Sequence, residues 1–263
     1  MNLEILCTQV QLLAREVGRF IFEERLKFTS EDIIHKGKAD MVTYVDKTAE
    51  SKIVSALREL LPDSGFIAEE GTAVDNGERY RWVIDPLDGT TNYIHGISPF
   101  AVSIALLDDE DIIMGVIYEI SLDEMFYAWK GSKAYLNGKE IHVSKASDTA
   151  DSLIATGFPY YDFSKLDRYM AAMNYFMRNS HGMRRLGSAA ADLAYVAAGR
   201  FEGFYEHALH SWDVAAGIII LKQAGGKVCD FNGGDNCLFG GEMIACNSNY
   251  FDEFYRIVHQ HLA

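Results

Sequence analysis

Two aspartates three residues apart carry the strongest chemical signal in this chain. In Trp82-Val83-Ile84-Asp85-Pro86-Leu87-Asp88-Gly89-Thr90-Thr91-Asn92, an apolar run delivers Asp85 at its end. Pro86 withholds a backbone donor and fixes the turn, and Asp88 follows, so the two carboxylates can converge on one point. Gly89-Thr90-Thr91 then offers small residues and free backbone N–H groups of the kind a phosphate requires. Hard divalent cations take oxygen ligands, and Mg²⁺ favours one or two carboxylates completed by substrate phosphate oxygens. The chemistry suggested is metal-assisted work on a phosphate ester. A bare D-x-x-D-G would more often cap a helix or stabilise a turn, so the argument needs further carboxylates.

Three more are available. Glu69 ends an apolar segment, Phe66-Ile67-Ala68, and could reach the strand end bearing Asp85; Glu69 and Glu70 could also be the start of a solvated acidic loop. Neighbouring side chains of an extended chain point in opposite directions, so one of the two should enter the site and Glu70 should face solvent. Asp213 opens an apolar helix, where the helix dipole favours a carboxylate and where it could simply cap free N–H groups. The small residues Ala215, Ala216 and Gly217 would let another element approach closely. Asp46 begins a second helix and is either its N-cap or a carboxylate that orients a water.

The elements that must position these groups follow from periodicity. Leu3, Leu6, Val10, Leu13, Val17 and Phe20 recur at helical spacing. Residues 31–45 suggest an exposed loop or loose hairpin around Lys36-Gly37-Lys38. A helix from about Asp46 should stop before Pro62. Short strands are expected at 66–68, 81–84, 100–107, 112–118 and 125–129, with a turn at Asp75-Asn76-Gly77 and a tight hairpin at Asn137-Gly138. The second half alternates: strands at 153–156, 201–205, 227–231 and 243–246, helices at 164–178, 188–198, 212–224 and 250–261. Hairpins followed by strand–helix alternation predict layered helices and sheets.

Composition narrows the classes. The 263 residues hold 38 Asp plus Glu against 24 Lys plus Arg, a net charge of −14, with 49% hydrophobic and 12% aromatic residues. That supports a large core. It argues against nonspecific nucleic-acid binding and against adhesion to an anionic membrane. Cys7, Cys229, Cys237 and Cys246 form no C-x-x-C pair and read as free thiols of a reducing compartment. With no signal-peptide pattern and no apolar run of about 18 residues, the expected location is the cytoplasm. The eight histidines lack metal-ligand spacing. No nucleophile elbow, Walker sequence or dinucleotide fingerprint occurs.

Taken together, these residues resemble the inositol monophosphatase family of Mg²⁺-dependent phosphatases. Asp85-Pro86-Leu87-Asp88-Gly89-Thr90-Thr91-Asn92 looks like its first signature, and Trp212-Asp213-Val214-Ala215-Ala216-Gly217, continuing to Ala224-Gly225-Gly226, like its second. Ile67-Ala68-Glu69-Glu70 and Asp40-Met41-Val42-Thr43-Tyr44-Val45-Asp46 match in order and rough spacing. The resemblance implies an α+β fold, a layered αβαβα sandwich, and usually a homodimer. It implies one phosphatase unit over 1–263, its N-terminal α+β half (1–150) carrying Asp46, Glu69, Asp85 and Asp88, its C-terminal α/β half (151–263) carrying Glu206 and Asp213.

It further implies two or three Mg²⁺ held by Glu69, Asp85, Asp88, Asp213 and the carbonyl of Leu87. Thr90 with Asp46 would orient the attacking water. Gly89, Thr90 and Thr91 would bind phosphate, Gly187, Ser188 and Ala189 would line the polyol pocket, and Glu206 would accept from a substrate hydroxyl. Lys36 matches the basic residue of a mobile loop. One of Arg184 and Arg185 could bind a second anionic group, though pairing with the acidic surface is the plainer expectation. The implied activity is Li⁺-sensitive hydrolysis of inositol monophosphate or a similar small polyol or sugar phosphate. Relatives acting on fructose 1,6-bisphosphate, histidinol phosphate or NADP share the signatures. A regulatory, protein-binding role is the alternative outside enzymology; the acidic charge then favours a basic protein partner over RNA.

Overall fold

A computed structural model of the chain describes residues 1–27, 33–35, 41–73, 77–158 and 162–263. The first helix, α1 (Leu3–Arg25), is capped by Asn2, whose side chain accepts from the Ile5 N–H. It buries Leu6, Val10, Ala14, Val17 and Ile21 along one face. Strands β1 (Ile33–His35) and β2 (Met41–Thr43) pair antiparallel, so the expected loose hairpin is a real one. Helix α2 (Tyr44–Leu60) starts two residues before Asp46, with Thr43 as its N-cap.

Seven strands form the first large sheet: β3 (Gly65–Ala68), β4 (Tyr80–Asp88), β5 (Ala101–Asp108), β6 (Asp111–Glu119), β7 (Glu124–Trp129), β8 (Ala134–Leu136) and β9 (Lys139–Ile141). They lie side by side in chain order, and every pairing is antiparallel except β3 with β4. Asn137 and Gly138, both at positive φ, make the β8–β9 turn. The short helix α3 (Thr90–His95) follows β4 directly.

The second sheet has the order β11-β10-β12-β14-β13. Its strands are β10 (Leu153–Thr156), β11 (Gly182–Arg184), β12 (Gly203–His207), β13 (Gly226–Cys229) and β14 (Glu242–Asn247). Four helices accompany it: α4 (Leu166–Asn179), α5 (Ala189–Ala197), α6 (Ser211–Gln223) and α7 (Phe251–Leu262).

These elements stack as αβαβα. Helices α1 and α2 cover the outer face of the seven-stranded sheet over a core that includes Trp82, Ile84, Val102 and Val116. Helices α5 and α6 lie between the sheets, and their core draws Val83, Ala105 and Ile117 from one sheet and Phe204 and Ala245 from the other. Helices α4 and α7 cover the far face around Phe176, Tyr205 and Phe254. A helix touched on all sides should be apolar all round, and α6 is: Val214–Leu221 is buried without a break. All four cysteines are buried and free, and no helix among the described residues is long and apolar enough to cross a membrane.

Candidate functional site

The site grows from an irregularity in β4. Asp85 pairs opposite Ser103 on β5, and Asp88 opposite Ala101. Three steps on one strand match two on the other, which is a β-bulge. Residues three apart on a regular strand face opposite sides; the extra residue restores parity, so both carboxylates emerge on the same side. Leu87 leaves the ladder. Its N–H donates to Asp85 Oδ1 at 2.9 Å, and its carbonyl accepts from Thr90 Oγ1 at 3.0 Å. The sequence reading ended the strand at Asp85; the structure carries it through Pro86 to Asp88.

Asp213 arrives from α6, in a capping box: its Oδ2 accepts from the His210 N–H at 2.6 Å. Close approach of that helix depends on Gly115 of β6, where a β-carbon would stand 2.7 Å from the Ala216 carbonyl oxygen and 2.8 Å from its Cα. One carboxylate oxygen from each of Asp85, Asp88 and Asp213 lies within 4.8 Å of the others. Glu69 is outside that trio but flanks it, in hydrogen-bonding reach of the Asp85 carboxyl. Asp88 Oδ2 also accepts from Ser188 Oγ at 2.6 Å and from the Ala190 N–H at 2.7 Å, which ties the first half of the chain to the head of α5. The Asn92 side-chain N–H₂ makes a second tie, donating to the carbonyls of Pro99 and Leu186, both at 2.7 Å.

Asp46 is 1% exposed. It is the third residue of α2, not its cap: Oδ2 accepts from the Thr43 N–H at 2.8 Å and from Thr43 Oγ1 at 2.6 Å. Its other oxygen, Oδ1, lies 3.1 Å from Thr90 Oγ1. The Thr90 hydroxyl therefore has two acceptors in reach, Asp46 and Leu87, and its own lone pairs are left to receive a proton donor.

The electrostatics are those of carboxyl groups crowded out of water. Burial first, then the charges of Asp213, Glu70 and Asp46, push Glu69 up to about 8. Burial and the charges of Glu69, Asp88 and Asp213 raise Asp85 well above the usual range. Burial raises Asp88 to about 6 against the opposing hydrogen bonds of Ser188 and Ala190, and burial with the charge of Asp88 raises Asp213. Such a cluster is costly without positive charge. Oxygen-only donors, carboxylate-rich and converging, fit a hard divalent cation and do not fit a soft one.

The residues expected at the polyol pocket come from the second half. Glu206 lies within β12 and is buried. Its carboxylate lies over Gly157, where a β-carbon would overlap it. Burial raises it to about 8, while the Arg185 guanidinium acts to lower it. Arg185 thus faces buried carboxylates, contrary to the expected surface pairing; Arg184 is exposed. Ser188 caps α5, accepting from the Ala191 N–H at 3.2 Å. Gly187 (φ +92°) and Gly89 (φ +91°) meet: a β-carbon on Gly89 would stand 3.2 Å from the Gly187 carbonyl oxygen. Thr91 begins α3 beside Thr90. Glu70 is half-buried, not solvent-facing. Lys36 and the Asp75-Asn76 turn lie outside the described residues.

Glu50 and Asp192 are among the buried carboxyls that sequence reasoning missed. Glu50 is fully buried on α2 and accepts from the N–H groups of Glu70 and Thr72 at 2.7 and 2.8 Å. Its spacing of four from Asp46 was the available signal. Asp192, 1% exposed in the otherwise apolar α5, lies in the field of Glu206, Asp88 and Arg185; a lone acid in an alanine-rich helix was its signal.

Comparison with known proteins agrees in one direction. The family model described as the inositol monophosphatase family matches residues 1–263. An inositol-1-monophosphatase of Mesorhizobium japonicum is 39% identical, covering 89% of this chain and 88% of its own. A protein named Nus factor SuhB, from Pseudomonas aeruginosa, is 39% identical over 95% and 94%. Among solved structures, the extragenic suppressor protein suhB of Bartonella henselae superposes with a TM-score of 0.92 at 38% identity, covering 97% of this chain and 98% of that one. The inositol monophosphatase of Anabaena gives 0.85 at 33%, over 99% and 97%.

Proposed function

Because the chain belongs to the inositol monophosphatase family, we propose that it is a Mg²⁺-dependent phosphomonoesterase acting on inositol monophosphate or a similar small polyol phosphate. The observation that carries this is the meeting of Asp85, Asp88 and Asp213 beside the Asp46–Thr90 pair. Two or three Mg²⁺ would be held by Glu69, Asp85, the Leu87 carbonyl, Asp88 and Asp213. When bound, they supply the charge that offsets the buried carboxylates, acidifies water and steadies the phosphoryl oxygens.

The chain's own groups do the rest. Thr90 donates to Asp46, which leaves Thr90 Oγ1 free to accept from the attacking water and aim its lone pair at phosphorus. Asp46 is held by Thr43 and cannot swing away. Gly89, Thr90 and Thr91 receive the phosphate at the head of α3. Gly187, Ser188 and Ala189 border the alcohol, whose hydroxyl donates to Glu206. Because the transition state is loose, such positioning and charge matching account for most of the catalysis. We take residues 1–263 as one unit, with 1–150 presenting phosphate and metal groups and 151–263 the alcohol wall. The family resemblance also supports a cytoplasmic homodimer and sensitivity to Li⁺.

Phosphate release over a panel tests the reading: inositol 1-phosphate, glycerol 2-phosphate, fructose 1,6-bisphosphate, histidinol phosphate and NADP⁺, each with saturating Mg²⁺. We expect a polyol monophosphate to lead in kcat/KM. Asp85→Asn should lower kcat by about 10³-fold or more, since metal chemistry supplies several kcal/mol, and should leave the protein folded. Silence over the whole panel by wild type that binds Mg²⁺ would sink the proposal. A second reading is supported by the relatives named Nus factor SuhB: this chain also binds a protein partner. A partner retained from lysate by Asp85→Asn as well as by wild type would favour it; loss of the partner with the metal site would count against it.

A further inference from the structure

The loop that follows β3 has every backbone N–H from residue 69 to 72 assigned. The Glu69 N–H donates to the Ile84 carbonyl at 3.3 Å and the Gly71 N–H to the Ala68 carbonyl at 3.3 Å. The alternate ones, of Glu70 and Thr72, both donate to the carboxylate of Glu50, one to each oxygen, at 2.7 and 2.8 Å. Glu50 is 0% exposed. Hydrogen bonds to an ionised acceptor in a dry place are the strong kind. The loop is thereby clamped between strand and helix, and the residue at its start is Glu69.

Glu50 is also one turn of α2 beyond Asp46, so the two carboxylates share a face. The rest of the buried face is apolar: Val45, Ala49, Ile53, Val54 and Leu57. Two acids in such a face need separate reasons. Asp46 has one in Thr43 and Thr90. Glu50 instead accepts from backbone amides of the loop that carries Glu69.

We infer that Glu50 is a positioning residue for the metal-binding wall: by gripping the amides of Glu70 and Thr72 it sets where Glu69 stands relative to Asp85. The inference rests on the proposed function for its meaning, since it assigns Glu69 to the metal. It makes α2 a single rigid bar that fixes two things at once. Asp46 sets the water-orienting hydroxyl, and Glu50, four residues on, sets the metal ligand. The two should separate kinetically. Loss of Asp46 removes an interaction made in the reaction and should appear in kcat. Loss of Glu50 loosens a ligand and should appear in the Mg²⁺ requirement.

The test uses the full-length protein with Glu50→Ala, Glu50→Gln and Asp46→Asn beside wild type. We expect Glu50→Ala to raise the Mg²⁺ concentration for half-activation by about tenfold, in line with the effect of removing groups that orient metal ligands. Its kcat at saturating Mg²⁺ should stay within about threefold of wild type, because a residue acting through ligand position is compensated by mass action. Glu50→Gln keeps an acceptor and should fall between the two; it also serves if Glu50→Ala does not fold. Asp46→Asn should show the reverse pattern, with kcat reduced and the Mg²⁺ requirement little changed.

A readout independent of turnover is the rise in melting temperature on adding Mg²⁺, which should need correspondingly more metal in the Glu50 variants. If both Glu50 variants match wild type in Mg²⁺ half-activation and in the Mg²⁺ dependence of melting, the inference is wrong. A lower melting temperature alone, with unchanged Mg²⁺ dependence, would mean a merely structural clamp and would also overturn it. If wild type hydrolyses nothing yet its melting responds to Mg²⁺, the phosphatase reading fails while the melting curves still decide on Glu50.

Discussion

Glu206 shows how a single buried carboxyl can set a cost to the fold that depends on pH. Burial raises its carboxyl to about 8, against about 4.3 for a free glutamate. The sign follows from linkage: a folded state that binds the proton more tightly than the unfolded state is stabilised at low pH, and that contribution is lost as pH rises from about 4.5 to about 8. Glu206→Gln cannot ionise and so escapes the loss. The variant should gain in melting temperature relative to wild type as pH is raised from about 5 to about 8, while its KM for a polyol phosphate rises. A constant difference across that range would show that Glu206 titrates as an ordinary surface acid.

At the scale of elements, the contact of α6 with β6 decides how far Asp213 reaches. Gly115 meets backbone atoms of Ala216, which cannot turn aside as a side-chain end could. Gly115→Ala should therefore destabilise by about 1–3 kcal/mol, the usual range for overpacking, measured by chemical denaturation. It should also weaken Mg²⁺ binding by shifting α6; destabilisation without any change at the metal would mean that the sheet yields and the helix does not. The elements were largely legible in the sequence. Spacing gave α1, the span of α2 to Pro62, the Asn137-Gly138 hairpin and the apolar α6. What sequence could not give was parity. An apolar run ending in Asp85-Pro86 reads as a finished strand, because Pro cannot donate to a ladder. Only the pairing with β5 reveals that β4 continues with one extra residue. Strand β11 and helix α3 were missed because three and six residues carry too little periodicity. Asp85, Asp88 and Asp213 were found from types and order. Glu50 and Asp192 were not, since a helical acid normally faces water and only tertiary contact shows otherwise.

Across the whole molecule, carboxylates from β4 and from α6, which lies between the sheets, meet in one partly buried place, on a chain that already carries a net charge of −14. Metal binding should accordingly stabilise the entire fold. At a free Mg²⁺ concentration ten times Kd the expected gain is about 1.4 kcal/mol, or a rise of about 3–5 °C for a chain of this size. Melting that is indifferent to Mg²⁺ would show that the cluster holds no metal. The bulge in β4 has a bearing on how such a protein can change over generations. Loss of a single codon between Asp85 and Asp88 would let β4 and β5 zip up without interruption, and the sheet would be more regular for it. The two aspartates, then two residues apart, would still face the same side, but the residue left between them would return to the ladder and the carbonyl that Leu87 turns to Thr90 would be lost. A lineage could thus reach a neater sheet that keeps both aspartates and loses their link to Thr90 in one deletion, and an insertion at the same spot would be needed to return.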